Sequence, residues 1–120
     1  MAAINKKILI LDDEKDICRL LKSMLERDGY EVASSNSLSE GKRKFVTFEP
    51  NVLFLDINLP DGNGLDQVPI FQKLNKQTRI IIISARDSAE ELKKAEKYHI
   101  SEFIKKPFNR SRIEAALKTN

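Results

Sequence analysis

Short apolar runs and helical periodicities alternate five times along this chain, and that order constrains the fold more than any bulk property. The apolar runs are KILIL (7–11), YEVASS (30–35), NVLFLDI (51–57), RIIIISA (79–85) and SEFIKK (101–106). Runs this short read as buried strands, and RIIIISA is dense in β-branched residues. Between the first two, Ile17, Leu20, Leu21, Met24 and Leu25 follow the spacing of an amphipathic helix over 14–29, with Gly29 as its stop. A second helix starts from Ser37, with Glu40 placed for a capping box and with Leu38, Phe45 and Phe48 on its inner side. Gly41 weakens that helix. NLPDGNG (58–64) reads as a loop, and a third helix follows through about Asn75. Pro69 is comfortable only in a first turn, so this helix starts late, near Val68, or is kinked. Ser88 and Glu91 form a capping-box pair for a fourth helix (88–99), and 109–118 is a fifth. Such alternation implies a parallel sheet with helices on both faces, joined by right-handed crossovers.

At 120 residues the chain is expected to be one domain spanning 1–120. Its net charge of +3 is a weak bias, and no like-charge run exceeds Lys42–Lys44, so the concentrated basic stripe of a DNA-binding module is missing. The lone Cys18 cannot form an intrachain disulfide and reads as a core-edge residue of the first helix. MAAINKK leads into too few apolar residues for a secretory leader, and no segment has the apolar length of a membrane span. The cytoplasm is the expected compartment, with no membrane partner.

In folds of this kind ligands sit beyond the carboxyl ends of the strands. The first strand runs into Asp12, Asp13 and Glu14, the third ends in Asp56, the fourth in Ser84 and the fifth in Lys106 before Pro107. Any one of these, alone, is as readily a solvated loop residue. Asp56 differs, because it closes the run VLFL, where a charge needs a partner. Clustered carboxylates suit a hard divalent cation such as Mg²⁺. With the cation bound, one carboxylate can accept a phosphoryl group, while Lys106 and the Ser84 hydroxyl stabilise its oxygens.

At these residues the chain resembles the receiver domain of bacterial two-component response regulators. The matching pieces are LDDE, LFLDINLPDGNGL, IIISA and FIKKPF, in the family's order and spacing. The resemblance implies a flavodoxin-like (βα)5 fold, a doubly wound parallel five-stranded sheet of order 2-1-3-4-5. It implies that Asp56 is the phosphoacceptor. Mg²⁺ would be bound by Asp13, Asp56 and the backbone carbonyl of Asn58, with Asp12 acting through water. Ser84 and Lys106 would contact the phosphoryl group, and Phe103 would be the switch aromatic. It implies no enzyme beyond catalysis of the domain's own phosphorylation and dephosphorylation.

The implied partner is a sensor histidine kinase. A downstream protein or output domain would be reached through helix four, strand five and helix five, with no direct nucleic-acid contact by this domain. The oligomeric state stays open, a homodimer on phosphorylation included. On the output face Lys93, Lys94, Lys97, Lys105, Arg110 and Arg112 outnumber the acids, which suits an acidic partner patch. Asn58 and Arg86 are placed to influence the lifetime of the acyl phosphate. The sequence departs from the family at His99 and Ile100, where a Gly-Ala pair is usual, and at Pro69. Phe103 also lacks a tyrosine hydroxyl. Two rivals remain at this stage: a receiver-like interaction module that is never phosphorylated, and a small aspartate-nucleophile phosphatase. The latter typically carries a second aspartate where this chain has Asn58, an amide that cannot transfer a proton.

Overall fold

A computed structural model of the chain describes residues 6–100 and 102–118. Five parallel strands form one sheet: β1 (Lys7–Leu11), β2 (Glu31–Ser35), β3 (Val52–Asp56), β4 (Arg79–Ser84) and β5 (Glu102–Lys105). Their spatial order is β2-β1-β3-β4-β5, as expected of the flavodoxin-like fold. The expected start of the last strand, Ser101, lies outside the described residues. The helices are α1 (Lys15–Arg27), α2 (Leu38–Phe48), α3 (Val68–Leu74), α4 (Ala89–Lys97) and α5 (Arg110–Lys118).

Alternate strand residues supply two cores. Ile8, Ile10, Phe54, Ile81, Ile83 and Ile104 face Cys18, Leu21 and Leu25 of α1 and Ile113 and Ala116 of α5. Leu9, Leu11, Leu53, Leu55, Ile80 and Ile82 face the other way, towards Phe45 of α2, Val68 and Phe71 of α3 and Ala95 of α4. Each fully buried Leu, Ile or Phe contributes about 1.5–3 kcal/mol, and a one-residue slip would swap the two sets. The register is therefore strongly specified, and with it the line on which the strands end.

Some local expectations are refined. Leu20 is 53% exposed, and the buried stripe of α1 is Cys18, Leu21 and Leu25, with Ile17 and Met24 at its flanks. Only half of the α2 capping box forms: the Ser37 side chain accepts from Glu40 N, but Glu40 Oε1 accepts instead from Ser35 Oγ at 2.6 Å. Both halves form at Ser88 and Glu91 of α4. Pro69 sits in the first turn of α3, which begins at Val68 after a short 3-10 turn, Leu65–Gln67. Gly41 has a packing reason, since a Cβ there would lie 2.4 Å from Leu11 Cδ2, so glycine lets α2 press onto β1. His99 adopts φ +59°, the left-handed helix end for which a glycine is usual.

Candidate functional site

The carboxyl ends of β1, β3, β4 and β5 bring the expected residues to one edge of the sheet. Asp12 follows β1 and is fully buried, whereas Asp13 next to it is exposed. Asp56 is the last residue of β3 and is 3% exposed. Carboxylate oxygens of Asp12, Asp13 and Asp56 all lie within 4.8 Å of one another. Lys106, one residue beyond β5, turns back across the sheet edge. Its Nζ stands 2.9 Å from Asp12 Oδ2, 3.3 Å from Asp56 Oδ2 and 2.8 Å from Glu14 Oε1. Its backbone N–H donates to the Ser84 carbonyl at 2.7 Å, and the peptide joining it to Pro107 is cis.

The remaining residues frame this cluster. Asn58 is exposed and donates its backbone N–H to Asp56 Oδ1 at 3.3 Å. Ser84 ends β4 fully buried, and its Oγ accepts the Arg86 backbone N–H at 3.0 Å. Phe103 lies in β5, half-buried against the core beneath α2, α3 and α4.

Burial of so much negative charge shifts the titration of the site. Removal from water, followed by the charge of Asp12, pushes Asp56 up to about 7. Burial also raises Asp12, against the counteracting pull of Lys106. Burial alone would lower Lys106, but its hydrogen bond to Glu14, its close contact with Asp12 and the surrounding carboxylates hold it above the ordinary lysine value. The ammonium thus stays charged and offsets part of the repulsion among the acids.

The donor set fits a hard divalent cation. It is all carboxylate oxygen, and buried Asp12 Oδ2 has the shared Lys106 ammonium as an ion-pair contact at 2.9 Å but no hydrogen-bond partner. Such an oxygen is costly unless a positive ligand or an ordered water meets it.

Four features of the site lay outside the expectations. Glu14 shares Lys106 with the buried acids. The Asp12 carbonyl is held from behind by Asn36 Nδ2 at 2.8 Å and by Cys18 Sγ at 3.5 Å, which gives the buried thiol a structural partner. That thiol is pushed up to about 11 by burial and then by the Asp12 charge, so it is a poor nucleophile. Gly64 packs so tightly that a Cβ would lie 2.1 Å from the Asp56 carbonyl oxygen. The segment expected as a plain loop folds back on itself, with Asn58–Leu59 pairing antiparallel to Gly62–Asn63. None of these contacts has a local pattern, although Gly64 and the β-turn chemistry of LPDGNG hint at the reversal.

Residues 8–118 match the family described as the response regulator receiver domain, and the chain belongs to that family. It is therefore a receiver domain of two-component signal transduction. It is 32% identical over 115 residues to the chemotaxis protein CheY of Thermotoga maritima, covering 95% of this chain and 96% of CheY. The CheY-like response regulator receiver domain protein of Methanospirillum hungatei superposes with a TM-score of 0.91 at 30% identity, over 96% of this chain and 92% of that one. A Burkholderia pseudomallei response regulator, solved with a phosphorylated aspartic acid, a calcium ion and citrate, gives 0.86 at 28% identity over 96% of this chain and 68% of that one. Two longer relatives, transcriptional regulatory proteins of Bacillus subtilis and Escherichia coli, are spanned over only 48% and 49% of their length.

Proposed function

We propose that this domain is a phosphorylation-dependent switch whose acceptor is Asp56, fed by the phosphohistidine of a sensor kinase. The observation that carries it is a nearly water-free Asp56 carboxylate among two further acids, with Lys106 Nζ 3.3 Å away. Asp13, Asp56 and the Asn58 carbonyl would hold Mg²⁺, with Asp12 acting through water. The ion, when bound, supplies positive charge that keeps the acids ionised and neutralises the transferring oxygens. An Asp56 oxygen attacks phosphorus, the bond from phosphorus to the imidazole nitrogen breaks, and the imidazole keeps that electron pair. Asp56 becomes a mixed anhydride.

Lys106, already among the carboxylates, pairs with the new phosphoryl charge, and the Ser84 hydroxyl donates to a phosphoryl oxygen. Movement of Ser84 vacates space beside β4, into which Phe103 turns, and that biases a two-state equilibrium at α4, β5 and α5. On that face Lys94 pairs with Asp66, Lys105 with Asp87, Arg110 with Asp28 and Glu114, and Arg112 with Glu102. An acidic partner would compete with these exposed pairs, which water and salt already weaken. Asn58 and Arg86 flank the phosphoryl site and tune its hydrolysis. The chemistry is confined to the domain's own phosphorylation state, and the cytoplasm is the compartment in which a kinase partner would meet it.

The kinase can be bypassed for a test. Intact mass after incubation with acetyl phosphate and Mg²⁺ is expected to show one phosphoryl adduct on the wild type. The adduct should be absent with EDTA and absent from Asp56→Asn. An adduct that persists in Asp56→Asn contradicts the assignment. The same protein with Mg²⁺ binding but no adduct from any donor, kinase included, would favour the unphosphorylated interaction module.

A further inference from the structure

The acid cluster and Asn58 are carried by two loops, and among the described residues no hydrogen bond joins Asp12 or Asp13 to Asn58. The β1–α1 loop carries Asp12 and Asp13, and the β3–α3 loop carries Asn58. Both are fastened to a third segment, the junction between β2 and α2. On one side Asn36 Nδ2 donates to the Asp12 carbonyl at 2.8 Å, with a second contact of 3.6 Å to Cys18 Sγ. On the other side the first turn of α2 donates Leu38 N–H to Asp61 Oδ1 at 2.7 Å and Ser39 N–H to Asp61 Oδ2 at 3.0 Å.

A helix N-terminus has donors to spare and favours negative charge, so a carboxylate from another loop is a natural cap. These two N–H groups hold the Asp61 carboxyl below the usual carboxylate range. The contact is reinforced by packing: Gly62 comes so close to α2 that a Cβ there would lie 2.9 Å from Leu38 Cδ1. Asp61 belongs to the folded-back segment whose first strand begins at Asn58.

We propose that Asn36 and the backbone N–H groups of Leu38 and Ser39 form a brace that sets the spacing of the two metal-bearing loops, with Asn36 and Asp61 as its positioning residues. Neither belongs to the acid cluster itself. Each fixes a backbone segment one or a few residues from a ligand, as outer-sphere hydrogen bonds do at metal centres. The proposal rests on the reading of the acid cluster as a Mg²⁺ site.

Its test is a calorimetric Mg²⁺ titration of the whole chain, run beside urea unfolding, for wild type, Asn36→Ala, Asp61→Ala, Asp61→Asn and Ser37→Ala. Ser37→Ala is the control. It removes the α2 side-chain cap, which accepts Glu40 N–H at 3.3 Å, but no tie to either loop. Asn36→Ala and Asp61→Ala are expected to raise the Mg²⁺ Kd about tenfold. Asp61→Asn keeps one acceptor and should fall between Asp61→Ala and wild type. Ser37→Ala should lose stability with Kd unchanged. Kd values within twofold of wild type for Asn36→Ala and for both Asp61 variants would overturn the brace and leave Asp61 a helix cap only. If Asp61→Ala does not fold, Asp61→Asn and Asn36→Ala decide by the same criterion. A wild type that takes up no Mg²⁺ is a different result: it removes the metal reading itself, and the brace with it.

Discussion

Asp56 ends β3 only 3% exposed, beside a second buried acid. A carboxyl raised to about 7 in the fold costs stability whenever it must ionise there. Its folded value lies above the unfolded one, so the cost is absent below about pH 4, grows as pH rises towards 7, and is constant above. At about 1.4 kcal/mol per tenfold change in acidity, and allowing for the Lys106 contact that is lost, Asp56→Asn should stabilise the Mg²⁺-free protein by about 2–4 kcal/mol at pH 8. The advantage should vanish near pH 4. Urea unfolding across that range, in EDTA, measures it, and a variant less stable than wild type at pH 8 would contradict this account of the site. Asp56, Ser84 and Lys106 were legible because each interrupts or closes an apolar run. Glu14 was visible as an acid, but its hold on Lys106 joins positions 92 residues apart, which no local pattern encodes.

At the scale of elements, apolar runs located the five strands of the main sheet and apolar spacing located α1, because both faces of the sheet are buried and a helix on it needs an inner stripe, while capping pairs marked α2 and α4. What periodicity could not resolve is where a stripe stops: Leu20 fits the helical spacing of α1 yet lies just outside the sheet's cover. Periodicity is also silent on the β3–α3 segment, which folds back on itself where the composition indicates a plain loop. Its reversal is held by Gly64 N–H donating to the Ile57 carbonyl at 2.6 Å and by backbone contact with Asp56, not by side-chain pattern. Gly64→Ala forces a methyl to within 2.1 Å of the Asp56 carbonyl oxygen, which is rigid backbone. We expect a loss of about 2–4 kcal/mol, in the range of overpacked or strained sites, together with weaker Mg²⁺ binding. Denaturant unfolding and a Mg²⁺ titration check both, and a neutral substitution would show that the segment relaxes freely.

For the whole molecule, the parallel order β2-β1-β3-β4-β5 does the assembling. Strands separated by long stretches of sequence end on one line, so residues 12, 13, 56, 84 and 106 meet without any of them being near in sequence, the first pair aside. That convergence was readable once the alternation of strand and helix was recognised. The ties among the loops above the sheet were not, since the Asn36 and Asp61 side chains bind backbone groups of segments distant in sequence and Gly64 acts through its own backbone. The central claim is that this convergence makes Asp56 the phosphoryl acceptor. The most direct measurement is reductive trapping: phosphorylate the wild type with acetyl phosphate and Mg²⁺, reduce the acyl phosphate with borohydride, and map the modified peptide by mass. Reduction is expected at position 56 alone, and only when Mg²⁺ is present. Reduction at Asp12 or Asp13, or an identical pattern in EDTA, would contradict the account.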